Sequence, residues 1–275
     1  MSTTRTDEAI ALLRAGRNRE AVDVLRSAVA AGEPDAEDLL VRAYLDSGSW
    51  HAAVDWLAPR VAAGHTEFAG RLGVALAGVG DVDAAEDAYR LAVSSGDVAA
   101  ANDLAILLRD RGRPAEAQFV LEQAAAAGDP VAPANLVELH LESGNLRAAV
   151  DTAERYVDEA NPDTLVALGD VRVAQERDTE AERLYLQAAQ LGAVRAHTAY
   201  GTFLVNIGAL EAAEREFRAA VDADEPRWAV TMGRFLLDTG RPDEARGYLQ
   251  AGADAGDVEA AELLDELDGI DATDD

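Results

Sequence analysis

The chain has 275 residues and a formal net charge of -28, from 52 acidic and 24 basic residues, and every one of those basic residues is arginine. Charge of this sign opposes the phosphate contacts that dominate nucleic-acid affinity, and it disfavours an anionic membrane surface. The absence of cysteine excludes disulfides, thiolate metal sites and a cysteine nucleophile.

The N-terminal stretch MSTTRTDEAIALLRAG carries no basic run followed by an apolar segment, and no apolar run reaches the length of a membrane span. The expectation is a cytoplasmic protein. In chain order, residues 1–6 read as a polar lead. Helical patterns follow in pairs: 7–15 with 19–31, 35–47 with 50–63, 66–79 with 82–95, and 98–111 with 114–127. The series continues with 130–143 and 146–159, 162–175 and 178–191, 194–207 and 210–223, and 226–239 and 242–255. A single helix over 258–268 reads as a cap with a polar outer face, and residues 269–275 as a disordered acidic tail. Pro59 lies well past the first turn of its helix. It predicts a kink there, because its ring crowds the carbonyl of Asp55 and removes one ladder bond.

These pairs share a period. Gly16, Gly48, Gly80, Gly112, Gly144, Gly208 and Gly240 stand at steps of 32 residues, broken only at Glu176. Five residues after each tooth stands an alanine: Ala21, Ala53, Ala85, Ala117, Ala149, Ala181, Ala213 and Ala245. Four residues further stand Leu25, Leu57, Tyr89, Leu121, Ala153, Tyr185, Phe217 and Leu249. Alanine at a fixed place in every second helix fits a close approach of two helix backbones. The large residue one turn on fills the space beside it. Leu40, Leu72, Leu104, Leu136 and Leu168 share a phase in the first helices, and Gly73, Ala105, Gly169, Gly201 and Gly233 place small residues beside that phase. A second glycine comb at Gly32, Gly64, Gly96, Gly128, Gly192 and Gly256 closes the second helices, with Ala160 and Asp224 as exceptions. The next position holds Asp97, Asp129, Asn161 and Asp257, whose short side chains can accept from the free N–H groups of the following turn. A fixed period of this length marks a stacked array of helical hairpins, one elongated domain over residues 1–268.

Leu-Gly in the first helix, glycine at the turn, and alanine then leucine or an aromatic in the second helix resemble the tetratricopeptide repeat. The junction AVSSGDVAAANDLA resembles the related Sel1-like repeat. The resemblance covers residues 7–268. It implies an all-α, right-handed solenoid of about eight antiparallel hairpins with a C-terminal capping helix. The period of 32 is shorter than the family's usual one. The resemblance also implies that the first helices line a concave face. In that register the candidate contact residues are Arg42, Gly70, Val74, Ala77, Asn102, Ile106, Arg109, Thr198, Thr202, Asn206 and Arg234. The first helix of the third pair, EFAGRLGVALAGVG, is apolar nearly all round: either Gly70, Val74, Ala77 and Gly78 with Ile106 form a shallow apolar floor for a partner's side chains, or the helix has drifted toward small residues in an alanine-rich scaffold. Arg42 and Arg109 flank it, either held for a partner's carboxylate or neutralised by Asp38, Asp46 and Asp110.

Nothing in the sequence announces catalysis. His51, His65, His140 and His197 fall at different phases of different repeats and form no i, i+4 pair. No phosphate loop, dinucleotide fingerprint or nucleophile elbow is present. No metal or cofactor is expected. The reading is a noncatalytic scaffold that binds a peptide or protein partner, and neither nucleic acid nor membrane. A regulatory or sensory subunit of a larger assembly stands as the alternative, and an enzyme with a site among the carboxylates as a third.

Overall fold

The computed structural model describes residues 4–271. Among them the regular elements are helical. They are α1 (Arg5–Arg14), α2 (Asn18–Ala30), α3 (Ala36–Asp46), α4 (Trp50–Ala62), α5 (Ala69–Gly78), α6 (Val82–Ser94), α7 (Ala100–Asp110), α8 (Pro114–Ala126), α9 (Ala132–Glu142), α10 (Leu146–Tyr156), α11 (Asp163–Ala174), α12 (Asp178–Gln190), α13 (Ala196–Asn206), α14 (Leu210–Asp222), α15 (Trp228–Asp238), α16 (Pro242–Asp254) and α17 (Val258–Asp271). The chain divides into two compact units, one ending at Ala132 and the other beginning at Pro133. In the first, α1 packs on α2, α5 on α6 and α7 on α8; in the second, α11 packs on α12, α13 on α14 and α15 on α16.

The turn glycines do the work their spacing predicts. Gly112, for example, has φ +70° and open space around it, so its role is conformational. Where glycine is missing, another residue is forced into the same left-handed region: Glu176 at φ 59° and Asp224 at φ 52°. The third exception behaves differently. With Ala160 at the junction, α10 stops at Tyr156, and Asp158 and Asn161 form an isolated bridge. The expected helix to 159 is therefore shortened. Two other ends differ from expectation. Thr66–Phe68 form a 3-10 turn ahead of α5. Helix α17 continues to Asp271, so residues 269–271, expected in the acidic tail, extend the cap; residues 272–275 lie outside the described residues. Helix α4 runs from Trp50 to Ala62 with Pro59 inside it.

The alanine comb is the spine of the packing. All eight alanines from Ala21 to Ala245 have 0% exposure. The large residues four positions on are buried as well, and Tyr89, Tyr185, Phe217 and Leu249 each meet the glycine sixteen positions before. A Cβ built on Gly73 would lie 2.5 Å from the Tyr89 ring, and one on Gly169 would lie 2.7 Å from the Tyr185 ring. The sizes are complementary along the array. Where the second helix carries Ala153, the first helix carries Val137, and both are buried in the same core.

Six of the second helices begin in one of two ways. Arg17, Arg113, Arg177 and Arg241 each pair with a glutamate three residues on, namely Glu20, Glu116, Glu180 and Glu244. Where an acceptor stands instead, at Asp81 and Asn145, its side chain caps the N–H of Ala84 and Ala148. The junction acids cap first helices as expected: Asp97 accepts from Ala100, Asp129 from Ala132 and Asp257 from Ala260. The longer glutamates at this position reach backwards. Glu33 accepts from the N–H and hydroxyl of Thr6, and Glu225 from the N–H groups of His197 and Thr198.

Candidate functional site

Among the described residues, three of the cavities open along the first helices. The one with the most varied chemistry lies in the second unit, has a volume of about 330 Å³, and is walled by α9, α11 and α13 with Tyr185 of α12 behind. Glu138, Asp170 and Thr202 occupy equivalent positions in their helices, each six residues before the turn tooth of its repeat. Since the repeats stack, this offset brings one residue per repeat to the same wall. Arg195, just before α13, reaches across to Glu138 at 3.4 Å. The Tyr185 hydroxyl donates to Asp170 Oδ1 at 2.6 Å. Burial pushes the Asp170 carboxyl up to about 6, against the lowering effects of that hydrogen bond and of the Arg195 guanidinium; the Glu138 charge adds a further upward push. Thr198 also lines the cavity, and its Oγ1 is buried without a hydrogen-bond partner. Asn206 completes the wall. Such a site offers fixed polar groups on an apolar and aromatic base of Val173, Tyr185 and Phe203.

A second cavity of about 600 Å³ lies one repeat further, between α13 and α15, with Val205, Phe217, Val230 and Phe235 as its apolar lining. Arg234 stands at its edge and pairs with Glu259 at 2.6 Å; Arg227 pairs with the same carboxylate. The third, of about 380 Å³, belongs to the first unit, where Ala77 and Ile106 line it with Tyr89, Asp103 and Arg111.

The candidate residues thus fall into groups. Thr198, Thr202 and Asn206 share the first cavity, with Thr202 also reaching the second beside Arg234, and Ala77 and Ile106 share the third. The rest lie elsewhere. Arg42 is exposed and pairs with Asp46 at 3.3 Å, and Arg109 stands 3.5 Å from Asp110. Their charges meet the neighbouring acids named as the alternative. Asn102 donates to Asp129 Oδ1 at 3.0 Å. Val74 is half-buried. Gly70 and Gly78 admit close neighbours: a Cβ on Gly70 would meet Asp97 at 2.8 Å, and one on Gly78 would run into the Trp50 indole. Glu138 and Asp170 were not among the candidates, although they hold the same offset as Val74, Ile106 and Thr202. That shared offset is the signal in the sequence that points to them.

Among the described residues, no group of three or more His, Asp or Glu is placed to hold a metal ion, and no helix is long and apolar enough to cross a membrane. Family models described as tetratricopeptide repeat match residues 6–59, 108–168 and 164–192. Among solved structures, a chain of the APC/C hetero-tetramer Cut9-Hcn1 is similar with a TM-score of 0.52 and 15% identity, over 96% of this chain and 55% of that one. This chain therefore spans about half the length of that neighbour. A thermophilic TPR protein of Thermus thermophilus is similar with a TM-score of 0.52 and 19% identity, over 62% of this chain and 98% of that one. No curated protein matches.

Proposed function

The chain belongs to the tetratricopeptide repeat family, and from that premise we propose that it is a noncatalytic scaffold holding a segment of a partner protein along its first helices. The observation that carries this reading is the second-unit cavity. Glu138, Asp170 and Thr202 place one side chain per repeat on one wall, as recognition of an extended segment requires. The helices that present them are fixed by buried alanine contacts, so little ordering is needed when a partner binds. The membership favours a protein partner, and the charge of -28 disfavours a nucleic acid.

The test compares three forms of the full chain as bait in the host. Thr202→Trp fills the cavity from its exposed wall. Arg215→Trp places the same bulk on an exposed position of α14 outside the three cavities. The reading requires that wild type and Arg215→Trp retain the same partner and that Thr202→Trp loses it. Equal recovery by all three variants contradicts it.

A further inference from the structure

Tyr89 and Tyr185 hold the same place in their repeats, and each lies against a glycine of the preceding helix. Their hydroxyls differ. That of Tyr185 donates to Asp170, fifteen residues before it. The corresponding residue for Tyr89 is Val74, which offers no acceptor. Tyr89 is 4% exposed and lines the third cavity, in the first unit, and among the described residues its hydroxyl makes no hydrogen bond with the protein. Asp103 lines the same cavity, and among the described residues its carboxylate also has no hydrogen bond or ion pair. Solvent reaches Asp103, yet the protein around its carboxyl removes enough water to push it above the ordinary aspartate range, and the Asp97 charge adds to that push. Burial and the Asp103 charge push the Tyr89 hydroxyl up as well, so it stays protonated and can accept as well as donate. Arg111 is the cation of the wall, and it is already engaged by Asp83 at 2.7 Å and Glu86 at 3.0 Å. It therefore leaves the Asp103 charge unmatched. A partly desolvated carboxylate without a donor is costly, and a ligand that brings donors and positive charge removes that cost. The rest of the lining is largely apolar, with Val82 and Ile106 exposed and Leu107 between them and the core.

Resting on the scaffold reading above, we propose that the third cavity receives a long basic side chain, lysine or arginine, of the partner segment. Its alkyl stem lies on Val82, Ile106 and Leu107, and its charged end donates to the Asp103 carboxylate and the Tyr89 hydroxyl. The second cavity supplies an internal comparison. Its lining includes the same repeat positions four periods further on, with Thr231 in the place of Asp103 and Phe217 in the place of Tyr89. Both groups that define the preference are absent there, and Arg234 stands where Ile106 would support the stem. In the first cavity the hydroxyl and carboxyl of Tyr185 and Asp170 satisfy each other.

The experiment is selection of a random peptide library on the full wild-type chain, followed by binding measurements with the selected peptides. Asp103→Asn removes the charge and keeps the shape. Tyr89→Phe removes the hydroxyl and keeps the ring on Gly73. Asp87→Asn removes the same charge from an exposed position of α6. Ile106→Trp fills the third cavity from its exposed wall, and Thr202→Trp fills the first. Melting of each variant is recorded so that loss of fold is not read as loss of affinity. The proposal expects peptides with a lysine or arginine whose binding falls about tenfold in Asp103→Asn, the size of one charge-assisted contact. Binding falls about threefold in Tyr89→Phe, the size of one neutral hydrogen bond, and is unchanged in Asp87→Asn. Basic peptides that weaken equally in Asp103→Asn and Asp87→Asn show attraction to the overall charge and overturn the proposal. Peptides lost in Ile106→Trp but indifferent to Asp103→Asn overturn the basic preference and leave the scaffold reading intact. Peptides lost only in Thr202→Trp do the same. Peptides unaffected by either tryptophan, or no peptides at all, overturn both.

Discussion

Gly201 lies flat against the ring of Phe217: a Cβ built on the glycine would stand 2.5 Å from the ring carbon Cε1. The same relation joins Gly73 to Tyr89 and Gly169 to Tyr185, always across sixteen residues. A helix surface gains one aromatic by giving up one side chain, and the pair behaves as a single volume. Gly201→Ala is expected to cost about 1–3 kcal/mol by overpacking. Phe217→Ala costs about 3–5 kcal/mol by leaving a cavity. Gly201→Val combined with Phe217→Ala reproduces the Val137 and Ala153 arrangement of another repeat. The double variant is expected to lose less stability than the sum of the separate Gly201→Val and Phe217→Ala losses. Additive urea midpoints would show that the two positions do not share one volume.

Left-handed backbone without glycine leaves room for improvement. Glu176 is exposed, has φ 59°, and among the described residues its side chain makes no hydrogen bond or ion pair. Glu176→Gly is expected to raise stability by about 1 kcal/mol, the strain of the left-handed region less the added freedom of the unfolded chain. Asp224 shares the conformation but accepts from the Trp228 indole N–H. Asp224→Gly should therefore gain less. Thermal midpoints of the two variants order the effects, and a larger gain at Asp224 would contradict the explanation.

Ala117 is completely buried in α8, at the same comb position as the other seven alanines. Ala117→Leu is expected to destabilise by about 1–3 kcal/mol. Glu122→Ala, at an exposed position of the same helix, should stay within about 0.5 kcal/mol. Equal urea midpoints would remove the basis for placing that comb at the helix contact.

The Asp170 carboxyl titrates at about 6 in the folded chain against about 3.9 for an unfolded aspartate. Between those values the native state holds a proton that the unfolded state has lost, so stability falls as pH rises through this window. Asp170→Asn removes that dependence. Its stability advantage over wild type should be smallest near pH 4 and grow to a plateau above pH 6. Urea unfolding at a series of pH values reads the difference. An advantage that shrinks with rising pH would contradict the raised value.

Much of this fold is legible in the sequence, because glycine and alanine sit where backbone geometry admits little else. The combs at Gly112 and Ala117 locate turns and helix contacts without knowledge of any neighbour. Asp97, Asp129 and Asp257 could be read as caps because a short side chain at that position reaches the N–H groups of its own following turn. Glu33 and Glu225 could not, since their longer side chains span 27 residues or more to the preceding helix start. The breaks at Ala160 and Glu176 were visible as gaps in the combs. What fills each gap, a shortened helix in one case and a strained residue in the other, depends on local packing. The candidate site was legible as a set of offsets from the turn tooth, implied by the family register, which collected Thr198, Thr202 and Asn206. Whether an arginine at one of these offsets faces a partner or a neighbouring acid depends on side-chain reach, as Arg42 beside Asp46 and Arg195 near Glu138 illustrate.

The most direct test of the central claim, that the first helices form the binding face, is site-specific photo-crosslinking in the host cell. A photoreactive residue is placed singly at Thr202, at Asn206, and at exposed Arg215 and Asp87 on second helices. The account predicts one shared crosslinked protein from Thr202 and Asn206 and none of it from Arg215 or Asp87. Crosslinking of that protein from Arg215 or Asp87, with none from Thr202 and Asn206, would place recognition on the second helices and contradict the account.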